Sequence, residues 1–390
     1  MDAGGLSLKL VLSVDALSPS LTGIGRYTWE LAQRLPTHSR LQDVQFYRNG
    51  SWVDEPARLL QATVPTVPVT SIVPQAKATA SKPRWRLKQP RWLRDWRITS
   101  ACQGKIFHGP NFFLPPCAEA GVATVHDLSV FKYPETHPLE RIKHFEREFT
   151  ASMKRAAHLV TDSEATRQEV MKYLAWPAEK ITAVPLGVSS HFAPADEAAV
   201  APCLTKYGLT FKRYALCVST LEPRKKIANL LQAYQCLPPP VHKQYPLVLV
   251  GSAGWLSESL HQEIDRLSAQ GWLRYLGFVP EADLPALYAG SRSFVYPSIY
   301  EGFGLPVLEA MASGVPVVAS IFTSLPEVTQ GAALLVDPDD IDALALGIQA
   351  SLCDEPWRET ACKTGLEVAQ GFTWDRCIDR TVDVYKKVMR

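Results

Sequence analysis

Along the chain, short runs of Val, Leu and Ile alternate with longer stretches in which apolar residues return every three or four positions. Apolar runs bounded by turn residues predict strands, and the longer period predicts helices. In the first half, strands are expected at 9–14, 44–48, 105–108, 121–126 and 158–161, with helices at 25–35, 140–157 and 163–173. The second half repeats the alternation, with strands at 214–219, 246–251, 273–276, 293–296 and 315–319. Strands separated by helices imply parallel sheets, so the fold class is α/β and the architecture looks doubled. The break is expected in the polar, alanine-rich stretch 190–202, after the apolar run 184–188. No short-period repeat points to a solenoid. The opening run 6–14 is short, is interrupted by Lys9 and lacks a small-residue cleavage signal before Asp15, so it reads as a buried strand and not as a leader. No run approaches the roughly 18–20 apolar residues of a membrane span.

Length and charge narrow the field. At about 100–200 residues per domain, 390 residues give two or three domains, each able to hold its own core. A net charge of +2, from 41 Lys+Arg and 39 Asp+Glu, argues against a surface built for nucleic acid. Eight cysteines, none in a C-x-x-C pair, read as free thiols of a reducing cytosol. One stretch stands apart, from Lys82 to Arg97. It carries seven Lys/Arg with Trp85, Trp92 and Trp96 against one acid, and Pro83 and Pro90 break any long helix. Basic charge interleaved with tryptophan suits an anionic membrane surface, and the plainer alternative is a solvated basic loop. No nucleic-acid fold signature accompanies it.

The sharpest chemistry lies at 296–318. A strand leads into Glu301-Gly302-Phe303-Gly304-Leu305-Pro306, then a helix bearing Glu309, a stop at Gly314 and another strand. Pro306 and Gly314 suit a helix start and a helix end. A glycine loop opening a helix offers unpaired N–H groups and the positive end of a dipole, which is a place for phosphate. Glu301 and Glu309 can accept hydrogen bonds from sugar hydroxyls on either side of it. Such a ligand is a nucleotide sugar. An isolated pair of glutamates would read more simply as a helix-end charge and a solvated loop residue. The complete segment, Pro-Ser-x-x-Glu-Gly-Phe-Gly-Leu-Pro-x-x-Glu-Ala-Met-Ala-x-Gly-x-Pro-Val-Val, resembles the signature of the large family of retaining GT-B glycosyltransferases. That family includes many bacterial mannosyl- and glucosyltransferases.

The resemblance extends over most of the chain. Pro223-Arg224-Lys225-Lys226 follows a strand and precedes a helix, where adjacent cations can neutralise a diphosphate. By resemblance Lys225 holds the diphosphate. Ser219 and Thr220 stand where many members carry an arginine, leaving Arg224 as a possible substitute. Gly23 and Gly25 open the first helix. A dinucleotide-binding loop would need a third glycine where Thr28 stands, so a nicotinamide-dependent dehydrogenase is disfavoured. In the family this loop borders the cleft. His126, beside Asp127 at a strand end, matches the family's active-site histidine and is expected to face the sugar. Gly277-Phe278-Val279 resembles the turn whose backbone holds the nucleobase, and Gly251 begins a further glycine loop. Asp337-Pro-Asp339 is assigned to turn formation, not to a metal.

The resemblance implies two Rossmann-like domains facing each other across a cleft. The N-terminal acceptor domain is expected at 1–195, the nucleotide-sugar domain at 196–372, and a helix at 373–390 crossing back. His126, Arg224, Lys225 and Glu301 form the expected catalytic set. Gly23, Gly25, Ser219, Thr220, Gly251, Phe278, Val279, Gly302, Phe303, Gly304, Leu305 and Glu309 form the expected donor site. It further implies retention, no essential metal or other cofactor, a donor leaning to GDP-mannose with UDP-glucose next, and a glycan or lipid-linked acceptor of surface polysaccharide or lipopolysaccharide synthesis. The expected location is cytoplasmic, peripheral to the inner face of the membrane if the basic stretch binds there. A nucleotide-sugar epimerase of the same fold and a non-enzymatic membrane-binding protein are the rival readings.

Overall fold

The structure is a computed structural model. It describes residues 8–389 apart from 20, 62–98, 101, 117, 119, 253 and 255–257. The basic stretch 82–97, read as a membrane contact, therefore lies outside the described residues. Among the described residues the cysteines are free thiols, and no helix is long and apolar enough to cross a membrane.

Two sheets carry the chain. The first contains β1 (Leu8–Ser13), β2 (Leu41–Arg48), β3 (Ser51–Val53), β4 (Ile106–Gly109), β5 (Ala120–Val125), β6 (Ala156–Thr161) and β7 (Ile181–Ala183), in the order β3-β2-β1-β4-β5-β6-β7. All pairings are parallel except the short edge hairpin β2/β3. The second contains β8 (Ala215–Val218), β9 (Leu247–Val250), β10 (Leu273–Tyr275), β11 (Ser293–Tyr296), β12 (Val317–Ser320) and β13 (Ala333–Val336), ordered β10-β9-β8-β11-β12-β13 and wholly parallel. Both sheets reverse direction next to their first strand, at β1/β4 and at β8/β11. In open parallel sheets ligands bind beyond the carboxyl ends of the strands at such a reversal.

One helical expectation is corrected. The helix read at 140–157 ends at Met153, because Ala156–Thr161 is claimed by the sheet as β6. Within the stretch 190–202, where the break between domains is expected, the helix Glu197–Lys206 begins. Asp196 caps that helix, which buries Val200 and Leu204 despite an internal Pro202. It packs on the helix Leu284–Gly290 of the second sheet.

The last helix, Trp374–Val388, returns to the first sheet and packs on β5, β6 and the helix Gly23–Arg34. Gly187 makes that return possible, since a Cβ there would lie 2.2 Å from the Trp374 backbone nitrogen. A buried polar chain fixes the helix in place. The Tyr385 hydroxyl meets His108 Nδ1 at 2.7 Å, His108 Nε2 meets Thr124 Oγ1 at 2.8 Å, and that hydroxyl meets Tyr27 at 3.1 Å. Burial and the nearby His126 hold His108 neutral, with its pKa lowered to about 3. Tyr385→Phe strips Nδ1 of its partner while keeping the ring, and should cost about 1–3 kcal/mol. Urea unfolding of the variant measures that loss.

Candidate active site

β8 and β11 are paired neighbours, and both segments singled out for chemistry leave their carboxyl ends. After β8, one turn at Pro223–Lys225 followed by left-handed Lys226 (φ 51°) redirects the chain into the helix Ile227–Gln235. The turn sends Lys225 inward, where it is 6% exposed. Lys226 points outward instead and pairs with Asp339 at 2.7 Å, so it does not belong to the cation group. Asp337 caps its own turn through the Asp339 N–H at 2.9 Å, as its assignment to turn formation required.

The inward side chains form a buried charge quartet. Lys225 Nζ pairs with Glu301 and donates to the Tyr296 hydroxyl at 2.8 Å, which in turn donates to Glu301 at 2.9 Å. Arg224 donates to the Tyr300 carbonyl at 2.8 Å and to Glu222 at 3.1 Å, and lies 3.5 Å from Glu301. The Thr220 hydroxyl donates to Glu222 at 2.7 Å. Burial alone would raise the Glu301 pKa, but Lys225 and Arg224 outweigh it and hold the carboxyl at about 2. Burial and Arg224 push the Lys225 ammonium below its ordinary value, and Glu301 opposes them. Arg224 was expected to offer its fork to a diphosphate. Its Nε and Nη1 are already committed, so it chiefly braces the Glu301 loop.

That loop is held by its carbonyls. Ser324 donates to the Glu301 carbonyl at 3.0 Å and to the Phe303 carbonyl at 2.8 Å, while the Glu301 N–H donates to Thr323 at 3.1 Å. Gly304 sits at φ 109°, with Leu325 2.5 Å from where a Cβ would be. The helix Leu305–Ala312 follows, with Pro306 at its second residue. Among the described residues, no protein acceptor takes the N–H groups of Gly302, Phe303, Gly304 or Leu305. Four unpaired donors at a helix start make an anion site. From the first domain, Gly23 faces the same helix start, 4.0 Å from Leu305 measured at a built Cβ, and Thr22 caps its own helix through Gly25 N–H at 3.2 Å.

Other expected residues divide. His126 is buried, with Nδ1 2.6 Å from Asp162 and Nε2 2.7 Å from the Pro110 carbonyl. Both partners are acceptors, so both nitrogens donate. Burial opposes the charge, but Asp162 and the carbonyl outweigh it and raise the pKa. The imidazole thus has no free nitrogen to face a sugar, contrary to expectation. Gly251 allows loop contact, since a Cβ there would lie 1.9 Å from the Ser219 carbonyl. Phe278 is 63% exposed, whereas the Val279 side chain is buried in the core. Glu309 is buried on the helix after the loop. A separate cavity of about 650 Å³ is lined by Arg26, His191, Glu281 and Trp374, and neither the quartet nor Glu309 lines it.

Comparison with known proteins gives this geometry a family. Residues 208–366 match the model of group 1 glycosyl transferases and residues 21–192 that of glycosyltransferase family 4. O-antigen chain mannosyltransferase B of Escherichia coli is 40% identical over 396 residues, spanning 97% of this chain and all of that protein. The chain is a group 1 glycosyltransferase. The O-antigen chain mannosyltransferase RfbU of Salmonella typhimurium is 30% identical over 56% of each protein. Two solved structures share the glycosyltransferase's fold at a TM-score of 0.70. HepE from Anabaena, solved with UDP and glucose, is 18% identical over 97% of this chain and 99% of its own. Sucrose-phosphate synthase of Thermosynechococcus elongatus is 22% identical over 98% and 99%. The GT-B expectation holds, and the scaffold reading gives way to an enzyme.

Sequence reasoning missed Glu222, Tyr296 and Ser324. Glu222 beside Pro223 was legible as an acid abutting two cations, but the Tyr296 and Ser324 contacts carry no local signal. The transferase also has a titrating group at neutral pH. Burial raises Glu309 to about 7 from its ordinary 4.5, with Arg26 opposing. The folded state binds the extra proton between those values, so stability falls as pH rises through that window. Glu309→Gln has no such proton, and should gain stability relative to the parent between about pH 5 and about pH 8. Urea midpoints at both pH values check this.

Proposed function

We propose that this glycosyltransferase moves a mannosyl group, with retention, from a nucleotide donor, GDP-mannose first, to a glycan or lipid-linked acceptor in surface polysaccharide synthesis. The single observation that carries the catalytic part is the junction of Lys225, Arg224 and Glu301 with four unpaired N–H groups at one helix start. The O-antigen mannosyltransferases among its relatives support the choice of sugar.

In this reading Glu301, Glu309 and the loop amides bind and orient the donor. Negative charge grows on the departing diphosphate, and Lys225 with the fixed N–H dipoles stabilises it without reorganising, the term that commonly dominates such catalysis. The acceptor hydroxyl attacks from the face the diphosphate leaves, and its proton passes to that leaving group. No metal is assigned a role in this reading, which gives the diphosphate charge to protein cations and amides.

Purified protein should be stabilised thermally by GDP-mannose more than by UDP-, ADP- or TDP-sugars, by mass action. Lys225→Met should lower kcat by about a hundred- to a thousand-fold, and EDTA should leave the parent rate unchanged. Preference for UDP-glucose would redirect the donor, and turnover of donor without acceptor into an isomeric sugar would favour an epimerase. No shift with any nucleotide sugar would defeat the proposal.

On sequence grounds, the stretch from Lys82 to Arg97 is proposed as a contact with an anionic membrane. The protein should then sediment with vesicles containing anionic lipid and not with neutral ones, and exchanging its seven basic residues for Gln should abolish the difference.

A further inference from the structure

The Glu301–Gly304 loop belongs to the second domain, yet one of its carbonyls is held by the first. Glu301 and Phe303 direct their carbonyls to Ser324 behind them. Gly302, between them, directs its own across the cleft, 2.7 Å from the Ser163 hydroxyl and 3.2 Å from that of Thr166. Both hydroxyls stand at the start of the first-domain helix Glu164–Leu174, which Ser163 caps through the Thr166 N–H at 3.1 Å. The approach is close. A Cβ on Gly302 would lie 1.8 Å from the His126 carbonyl oxygen. Two further contacts flank it. Glu327 of the second domain accepts the Glu164 and Ala165 N–H groups at 3.0 and 3.1 Å. The Tyr300 hydroxyl accepts the Leu128 N–H at 3.0 Å and donates to Glu169 at 2.5 Å.

A trans peptide is planar, so its carbonyl and the following N–H point in opposite directions. Ser324 therefore sets the direction of the Gly302 and Gly304 N–H groups from within the second domain. The Phe303 N–H is different, because its peptide carries the Gly302 carbonyl. We propose that Ser163 and Thr166 are positioning residues that fix the Gly302–Phe303 peptide when the domains close, so that the first domain completes the anion site of the second. The catalytic consequence rests on the transferase reading above, whereas the clamp itself does not. Closing motions that finish a site in this way commonly gate turnover. The clamp is already made in the ligand-free arrangement, where the Gly302 carbonyl lies between the two hydroxyls.

The test uses the full chain with Ser163→Ala plus Thr166→Val, with Thr166→Val alone in case loss of the helix cap impairs folding. Thr166→Ser, which keeps the hydroxyl, is the control. In ligand-free protein, amide exchange over residues 301–305 should quicken at least about tenfold in the double variant, about threefold in Thr166→Val, which keeps the shorter Ser163 bond, and stay at the parent level in the control. In transfer assays kcat should fall about ten- to a hundred-fold while the donor KM changes less than about threefold, with Thr166→Ser near the parent. Gly302→Ala, which collides with the His126 backbone, should quicken exchange in the same peptide by an independent route. Unchanged exchange in a variant with the parent's thermal midpoint overturns the clamp. So does a variant with parental kcat. If the parent transfers no sugar at all, the transferase reading fails, and the exchange measurement still decides the clamp.

Discussion

Two cations facing two carboxylates, all largely withdrawn from solvent at the ends of adjacent strands, set the shape of everything around them. Charges taken out of water must be paired, and removing one partner leaves the other uncompensated at a cost of several kcal/mol. Glu222 and Glu301 meet that demand for Arg224 and Lys225, which is why loops from β8 and β11 lie against one another. The quartet carries no net charge before any ligand arrives. An anion placed beside it therefore gains little from bulk charge and must be met by oriented groups. The unpaired amides at the start of the helix Leu305–Ala312 are such groups.

This division of labour changes how Arg224 is understood. Arg224 holds the Tyr300 carbonyl and Glu222 at the same time, so it stabilises the turn from which Glu301 projects. Lys225 instead has side-chain partners, the Tyr296 hydroxyl and the Glu301 carboxylate.

Much of this was legible beforehand, for identifiable reasons. Strand–helix alternation gave the doubled α/β plan, because buried parallel strands read as short apolar runs. The glycine loop and its helix start were legible because backbone requirements leave marks in residue type, as at Gly302 and Gly304. Contacts between distant segments left none. Nothing near Ser324 announces that its hydroxyl serves Glu301 and Phe303, and nothing near Ser163 or Thr166 announces Gly302. The edge hairpin at Ser51–Val53 was also missed, since three residues carry no period. The helix 140–157 was overextended because the alanines and polar residues at its end are compatible with a helix until the sheet claims them.

His126 shows how a motif can mark a place without marking the expected role. A histidine at a strand end beside an acid suggests a side chain poised over substrate, and the family match strengthens that suggestion. Yet its ring is locked between Asp162 and the Pro110 carbonyl, and a doubly donating imidazole is a strut. The part of this residue that reaches the second domain is its carbonyl oxygen, which abuts Gly302 so closely that no side chain fits between them. Asp162, the ring's partner, is followed directly by Ser163, whose hydroxyl meets Gly302 from the other side. One charged hydrogen bond inside the first domain thus fixes both backbone segments that the Gly302 loop touches. The strut holds the carbonyl and the hydroxyl in register, and the glycine closes between them.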